Sequence, residues 1–325
     1  MLQRWAGVKG KIVSVIGCGT MGRGIARLAA RHGMSVVLFD ADPLAGRRTL
    51  AAVTAEDARY RDSRDPSANG TPSIPPVLAN TIPEAVQQAD VVVEAVPEVL
   101  EIKIPVLREI VASGQPGSLI GTNTSTISIA GLEAACEAPG RIVGIHFFNP
   151  AERMRLVEVI RSPQTADAVA DRAEEFARAL SRTPIVVRDS PGFVTSRLGL
   201  ALGTEAMRVL ESGIATAAAI DAAMTLGYNH PMGPLELADL VGLDARLNNL
   251  RSIYAARQEE QYRPPRILEA LVAEGNLGRK TSRGFYLYDE HGRRTGEAPL
   301  ASDGDFSGRR LTPAPTTDGR PLTQG

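Results

Sequence analysis

A histidine and a glutamate in one short stretch have the side-chain types and the spacing for acid–base chemistry. Residues 141–160 read RIVGIHFFNPAERMRLVEVI, with His146 ending one apolar run and Glu158 inside the next. An imidazole beside a buried carboxylate is a common general-base arrangement, because the carboxylate fixes the imidazole tautomer and stabilises the imidazolium. From spacing alone, two interpretations stay open: a catalytic pair, or a histidine satisfied in the core with a glutamate at a strand end.

A glycine-rich turn follows the first predicted strand, near the start of the chain. Gly17, Gly19 and Gly22 have the spacing G-x-G-x-x-G, with Thr20 and Met21 between them, and an apolar helical pattern follows. Such glycines allow a tight turn, close approach of a pyrophosphate, and close packing of helix on strand. The helix N-terminus then offers free N–H groups to a diphosphate. We predict a dinucleotide site formed by these five residues.

An acid ends the second predicted strand, SVVLF. Asp40 lies 23 residues after Gly17, where a carboxylate can accept hydrogen bonds from ribose hydroxyls and would repel a 2′-phosphate. The alternative is that Asp40 only begins a turn with Asp42 and Pro43. Because strand, glycine turn, helix, strand and acid occur in order, we predict NAD as the cofactor.

Strand and helix signals alternate up to about Arg188, and helical signals alone follow. This pattern predicts an α/β fold, a Rossmann-type doubly wound and mostly parallel sheet over 1–188, followed by an all-α domain over 189–290. The apolar surplus on several helix faces favours a homodimer, with an extended core as the alternative. Residues 291–325 are polar and rich in Gly, Pro, Thr and Arg, which predicts a disordered tail.

Composition and charge exclude several classes of function. The formal net charge of −1 gives no reason to expect a nucleic acid or an anionic membrane as a partner. No apolar stretch reaches transmembrane length, and the first residues lack the apolar core of a secretory signal. Cys18 and Cys136 are not in a metal-binding or C-x-x-C pattern. We therefore expect a cytoplasmic protein with reduced thiols and no metal.

Seven segments occur in the order typical of 3-hydroxyacyl-CoA dehydrogenases, which the chain resembles from about Ile12 to Tyr288. They are GCGTMGRGIA, VVVEAVPE, NTSTISI, HFFNP, LVEVI, SPGFVTSR and GYNHPMGPLELADLVGLD. The resemblance implies a Rossmann domain, a helical dimerisation domain, and NAD-dependent oxidation of an (S)-3-hydroxyacyl-CoA, expected to be short-chain, to the 3-oxoacyl thioester.

The resemblance also implies roles for individual residues. His146 matches the family's general base, Glu158 its partner, and Ser125 the serine that hydrogen-bonds the substrate oxygen. Three further residues match the cofactor side of the site: Glu98, Lys103 and Lys280. We also expect Asn123, in the same loop as Ser125, to face the cofactor. From the residues alone, ordinary roles stay open. Ser125 is then a turn hydroxyl, Glu98 a carboxylate at a helix start, Lys103 a solvated surface lysine, and Lys280 part of a basic loop.

Two departures from the family pattern leave the substrate open. Ser196 stands where the family commonly has asparagine in PGF-x-x-N-R. The segment formed by residues 60–76 is short and rich in Pro and Gly, whereas the family usually has a longer arm here that contacts CoA. The partner is therefore an acyl thioester of CoA or of a carrier protein, or else a free hydroxy acid. A third possibility, from a different class, is an NAD-binding protein without turnover.

Overall fold

The chain divides into two compact units between Phe193 and Val194. The computed structural model describes residues 11–62 and 75–299. The unit boundary therefore lies a few residues after the predicted one at 188. Most of the short segment predicted to replace the CoA-contacting arm lies outside the described residues, as does the chain from residue 300 onward.

The first unit is built on one eight-stranded sheet. Its strands are β1 (Ile12–Ile16), β2 (Ser35–Phe39), β3 (Val77–Leu78), β4 (Val91–Glu94), β5 (Leu119–Thr122), β6 (Ile142–Phe147), β7 (Leu156–Arg161) and β8 (Thr183–Arg188). The strand order is β3-β2-β1-β4-β5-β6-β7-β8. All neighbours are parallel except β6 and β7, which are antiparallel. The chain reverses its winding between β1 and β4, so a ligand crevice is expected at the carboxyl ends of those strands.

Helices cover the sheet of the first unit. They are α1 (Thr20–Arg31), α2 (Pro43–Asp62), α3 (Ile82–Val86), α4 (Leu100–Ser113), α5 (Ile129–Ala135) and α6 (Asp167–Ala179). The β-branched strand residues are buried, as expected for a parallel sheet covered by helices. Helix α1 packs onto that sheet through Ile25, Leu28 and Ala29, none of which is exposed. This packing confirms the predicted Rossmann-type fold.

The second unit is mainly helical. Its helices are α7 (Thr195–Glu211), α8 (Ala217–Gly227), α9 (Pro234–Val241), α10 (Leu243–Arg257) and α11 (Arg266–Ala273), and two strands follow, β9 (Tyr286–Tyr288) and β10 (Arg294–Glu297). Strand β10 pairs antiparallel with β9. The prediction of disorder from residue 291 is therefore wrong for 294–297, because those backbone groups pair with an aromatic strand whose side chains are buried.

Two buried carboxylates tie the helices of the second unit to its hairpin. Asp239 of α9 accepts hydrogen bonds from the Phe285 and Tyr286 N–H groups and from the Tyr288 hydroxyl, each at 3.0 Å. Asp221 of α8 accepts one from the Tyr286 hydroxyl at 2.8 Å. These donors replace the water that both carboxylates lose on burial.

The Asp239 carboxyl group makes this unit sensitive to pH. Burial raises the pKa of Asp239 to about 6, although the three hydrogen-bond donors act in the opposite direction. The pKa of an aspartate in an unfolded chain is about 3.9. A raised carboxyl pKa is a penalty on the folded state that is fully present above pH ~6 and relieved as the pH falls toward 4. We expect the penalty to be smaller at pH 5 than at pH 7 by about 1 kcal/mol.

The test compares urea unfolding of wild type and D239N at pH 5 and pH 7. The wild-type free energy of unfolding should gain about 1 kcal/mol relative to the variant's on going to pH 5. Equal pH dependence in the two proteins would show that Asp239 does not titrate in this range.

Neither thiol forms a disulfide within the described residues, and Cys18 and Cys136 are both buried. In the same two ranges, no helix has the length and apolar content needed to cross a lipid bilayer.

Candidate active site

His146 and Glu158 face each other across the antiparallel pair β6–β7. They are direct partners in the strand register, so their side chains project from the same face of the sheet. His146 Nδ1 lies 2.7 Å from a Glu158 carboxylate oxygen, and the two residues are 6% and 0% exposed. A carboxylate only accepts, so the neutral imidazole carries its hydrogen on Nδ1 and a lone pair on Nε2. The pair therefore presents a proton acceptor held by a buried acid.

Two aromatic rings lie beside the imidazole. The Phe148 ring centroid lies 4.5 Å from that of His146, and the Phe193 centroid lies 6.0 Å away, both tilted. Apolar walls of this kind exclude water and fix the ring plane. They also strengthen the electrostatic interaction between the imidazole and Glu158.

Ser125 lies in the loop after β5, and Glu98 holds that loop. One Glu98 oxygen accepts from the Thr124 hydroxyl at 2.5 Å, from the Ser125 N–H at 2.8 Å and from the Thr126 N–H at 3.1 Å. The loop that carries the candidate substrate-binding serine is thus bound to a single carboxylate. The predicted residues Glu98 and Ser125 are brought together.

Asn123 joins the same loop to the strand of the histidine. Its side-chain oxygen accepts from the Phe147 N–H at 2.8 Å, and its own N–H donates to the Glu94 carbonyl at 2.8 Å. Three neighbouring strands, β4, β5 and β6, are therefore locked together at their carboxyl ends. Asn123 positions the loop, and its contact with the cofactor stays a prediction.

Lys103 is buried between two glutamates. Its side chain is 1% exposed, which contradicts the interpretation as a solvated surface lysine. Its ammonium lies 2.9 and 3.1 Å from the two Glu94 oxygens and 3.3 Å from Glu98. Its cofactor contact stays a prediction. Sequence analysis missed Glu94, although an acid inside the apolar run VVVEAV signals a buried carboxylate that needs a cation.

The Lys103 ammonium also affects the pKa of Glu98. Burial opposes ionisation of Glu98, but the charge of Lys103 and the three donors of the serine loop together hold its pKa below the ordinary value. Glu98 is therefore ionised at neutral pH, and it can accept all three hydrogen bonds at once.

The three glycines of the turn differ in how much space the structure leaves for a side chain. A Cβ on Gly17, whose φ is +98°, would lie 2.7 Å from the Ala95 backbone, and one on Gly22 would lie 1.8 Å from the Gly17 carbonyl oxygen. The fold itself therefore requires both. A Cβ on Gly19 would meet nothing within 4 Å. The fold therefore does not require glycine at this position, and the absence of a side chain leaves the backbone open to a dinucleotide pyrophosphate.

Asp40 lies beside this turn. Its carboxylate accepts from the Cys18 N–H at 2.6 Å and from the Asp42 N–H at 2.7 Å, so it forms a turn and also faces the glycine loop. A cavity of about 260 Å³ adjoins the turn, and Gly19 and Thr20 are among its lining residues. The turn role of Asp40 is therefore compatible with its predicted role in binding a ribose. The residues around the glycine turn fit a dinucleotide.

The glycines give a matched pair of variants. Gly22→Ala forces a Cβ into the turn, and we expect a loss of stability on the order of 1–3 kcal/mol. Gly19→Ala should fold like wild type, yet bind NAD at least about tenfold more weakly, because its Cβ occupies the pyrophosphate's approach. Thermal unfolding and calorimetric titration with NAD separate the two effects. Unchanged NAD affinity in Gly19→Ala would place the pyrophosphate elsewhere.

The remaining predicted residues lie where the sequence placed them, and their roles stay predictions. Met21 is half-buried and packs on the core of the first unit. In the second unit, Ser196 lies in the first turn of α7. The Lys280 ammonium pairs with both Asp244 oxygens, at 2.6 Å each. Among the described residues, no group of three or more His, Cys, Asp or Glu side chains could hold a metal ion.

Models of two protein domains match the chain. Residues 12–190 match the 3-hydroxyacyl-CoA dehydrogenase NAD-binding domain, and residues 192–288 match the C-terminal domain of the same family. The first match lies within the first structural unit, and the second lies almost entirely within the second unit.

Individual proteins agree with these domain matches. The chain is 39% identical to a 3-hydroxybutyryl-CoA dehydrogenase of Bradyrhizobium diazoefficiens, over 86% of this chain and 95% of that protein. It is 37% identical to a 3-hydroxyadipyl-CoA dehydrogenase of Escherichia coli, over 84% of this chain and 58% of that protein. The crystal structure of (S)-3-hydroxybutyryl-CoA dehydrogenase from Ralstonia eutropha superposes with a TM-score of 0.77 at 34% identity, covering 87% of this chain and all of that one. The chain therefore belongs to the 3-hydroxyacyl-CoA dehydrogenase family of NAD-dependent oxidoreductases.

Proposed function

We propose that the chain oxidises a short-chain (S)-3-hydroxyacyl-CoA to the 3-oxoacyl-CoA, with His146 as the general base. The observation that carries the proposal is the buried 2.7 Å contact between His146 Nδ1 and Glu158. His146 Nε2 takes the proton of the substrate 3-hydroxyl, and Glu158 stabilises the imidazolium that results. Bound NAD supplies the acceptor for the hydride that leaves C3.

Hydroxyl side chains complete the proposed catalytic groups. Ser125, on the loop that Glu98 holds, donates to the substrate oxygen and orients it for proton transfer. Ser196 replaces the family's asparagine with a shorter group that still donates and accepts, so we propose that it acts through a bridging water. In the reverse direction the His146 imidazolium protonates the 3-oxo group.

The names of the relatives support the substrate class. Two of them, from Bradyrhizobium diazoefficiens and Ralstonia eutropha, are 3-hydroxybutyryl-CoA dehydrogenases, which favours a short acyl chain. Residues 60–76 are fewer than those of the arm that usually contacts CoA in the family. The test therefore compares the CoA ester with forms of the substrate that lack CoA.

The test follows NADH at 340 nm with (S)-3-hydroxybutyryl-CoA, its N-acetylcysteamine thioester and the free acid. We expect a strong preference for the CoA ester. Equal or higher rates without CoA would move the substrate to a carrier-bound or free hydroxy acid. No turnover of any of the three, with NAD still bound, would show that the chain is a binding protein without this activity.

We also propose that the chain forms a homodimer through the helical unit. Leu198, Leu226 and Tyr228 of that unit are 67%, 77% and 74% exposed in the single chain, and burial of such side chains against a second copy would be favourable. Sedimentation at micromolar concentration distinguishes the dimer from a monomer.

A further inference from the structure

The segment between β6 and β7 joins the two strands that carry His146 and Glu158. This β6–β7 connection runs over residues 148–155. At its start, the Phe148 ring centroid lies 4.5 Å from that of His146, and in its middle Ala151 is only 2% exposed. A displacement of the connection would therefore move the ring that packs on the imidazole, together with the strand ends that hold the base and its acid.

Helix α1 of the same unit lies against the β6–β7 connection. A Cβ on Gly24 of α1 would lie 3.1 Å from the Ala151 Cβ and 3.1 Å from a Glu152 carboxylate oxygen, so the two segments approach closely at this glycine. Three positions on, along the same side of the helix, Arg27 Nη1 lies 2.9 Å from the Glu152 carboxylate. The connection is thus held to α1 by close packing and by an ion pair.

Arg27 is itself fixed by a second carboxylate. Its Nη2 donates to a Glu56 oxygen of α2 at 2.6 Å, and the Glu56 side chain is only 5% exposed. The Glu152 side chain is 17% exposed. Two largely buried acids on different elements therefore hold one planar guanidinium through different nitrogens, which leaves it little freedom to turn.

Another arginine binds the backbone of the connection. Arg182, which follows α6, donates from Nη2 to the Ala151 and Glu152 carbonyl oxygens at 3.1 and 3.0 Å. Arg182 therefore holds the main chain at these two residues, while Arg27 holds the Glu152 side chain.

The helix that contacts the connection also begins at the glycine turn. Gly19 precedes its first residue, and Arg27 lies about two turns further along. Hydride and proton transfer need the acceptor and the base in a fixed geometry, and a misplacement of about 1 Å can cost about 10²-fold in rate. Helix α1 is therefore one rigid support shared by the cofactor-binding turn and the β6–β7 connection.

We propose that Arg27 is a positioning residue for the pair of His146 and Glu158, acting through Glu152 and the β6–β7 connection. It keeps the base in a fixed place relative to the helix that binds the cofactor. The expected effect on turnover rests on the proposed function, whereas the expected effect on the imidazole itself rests on the contacts alone.

The experiment compares Arg27→Met with Arg31→Met. Arg31 lies one turn further on α1 and pairs with the same Glu56 at 3.2 Å, whereas Glu152 pairs only with Arg27 among the described residues. Both variants should lose some stability, because both remove a partner of Glu56. In Arg27→Met, kcat should fall about ten- to hundredfold while the Kd for NAD stays within about threefold of wild type. Arg31→Met should keep the wild-type kcat.

Changing the acid tests the same contact from the other side. Glu152→Gln keeps the pair between Arg27 and Glu56, so it reports on the contact even if Arg27→Met does not fold. It should lower kcat as Arg27→Met does, and the two changes combined should lose little more than either alone. Wild-type kcat in Glu152→Gln would overturn the proposal.

A spectroscopic measurement keeps the inference separate from the proposed reaction. The His146 Nδ1 proton, held by Glu158 in a site that is 6% exposed, is shielded from exchange and should give a proton NMR resonance that is absent from His146→Asn. This resonance should move or broaden in Arg27→Met and Glu152→Gln, and stay in place in Arg31→Met. An unchanged resonance in both test variants would overturn the positioning role. A displaced resonance without turnover of any thioester would support that role and disprove only the reaction.

Discussion

His146→Asn is expected to lower kcat by about 10²–10⁴-fold while NAD affinity stays close to that of wild type. The asparagine amide can keep the hydrogen bond to Glu158 that Nδ1 makes at 2.7 Å, so the buried carboxylate stays satisfied. The variant has no counterpart of Nε2, the atom proposed to accept the proton. Rates at 340 nm with saturating substrate and calorimetric titration with NAD provide the two measurements.

A double variant tests whether the histidine and the glutamate act as one unit. Residues that share one catalytic task have strongly non-additive effects. His146→Asn combined with Glu158→Gln should therefore lose little more activity than His146→Asn alone. Retention of more than about a tenth of the wild-type kcat in His146→Asn would mean that another group takes the proton.

Lys103→Met should have the largest effect on stability, a loss of about 3–5 kcal/mol in the free energy of unfolding. The change leaves Glu94, which is 0% exposed, without the ammonium 2.9 Å away. Removing one partner of a buried ion pair strands the other charge in a medium of low polarity. The variant also deprives Glu98 of its counter-charge, so the Ser125 loop should lose order and KM should rise. Urea unfolding and steady-state kinetics measure both effects.

A compensating change provides the control for Lys103→Met. Glu94→Gln in the same chain removes the stranded charge and keeps a group that can accept from the Thr122 hydroxyl, which lies 2.6 Å from Glu94. The double variant should therefore be more stable than Lys103→Met alone. If both variants unfold at the wild-type urea concentration, the cluster does not stabilise the unit.

Local patterns in the sequence predict the framework of the site. Buried β-branched runs, the glycine spacing and an acid after the second strand are sufficient to predict the Rossmann-type unit. The antiparallel pairing of β6 and β7 can also be deduced, because the connection between them is too short for a crossover helix. Once the strands run antiparallel, their hydrogen-bond register brings His146 opposite Glu158.

Contacts between side chains that are distant in the chain leave no local pattern in the sequence. Lys103 has the sequence environment of a surface residue, and only the packing of α4 shows that it is buried with Glu94. Arg246 likewise has no local signal for burial, and the glycines at 199 and 203 explain it only after α7 and α10 are seen side by side. The sequence does not predict the hairpin after residue 285, because its second strand is exposed and polar.

The antiparallel neighbours β6 and β7 have a practical consequence for building hybrid enzymes from related genes. Because His146 and Glu158 lie on adjacent strands joined by one connection, a single segment from residue 142 to 161 carries both partners and the register that aligns them. Recombination at either end of that segment transfers the pair intact. Crossovers inside it would combine a base and an acid from different parents, so such breakpoints should be rare among functional hybrids.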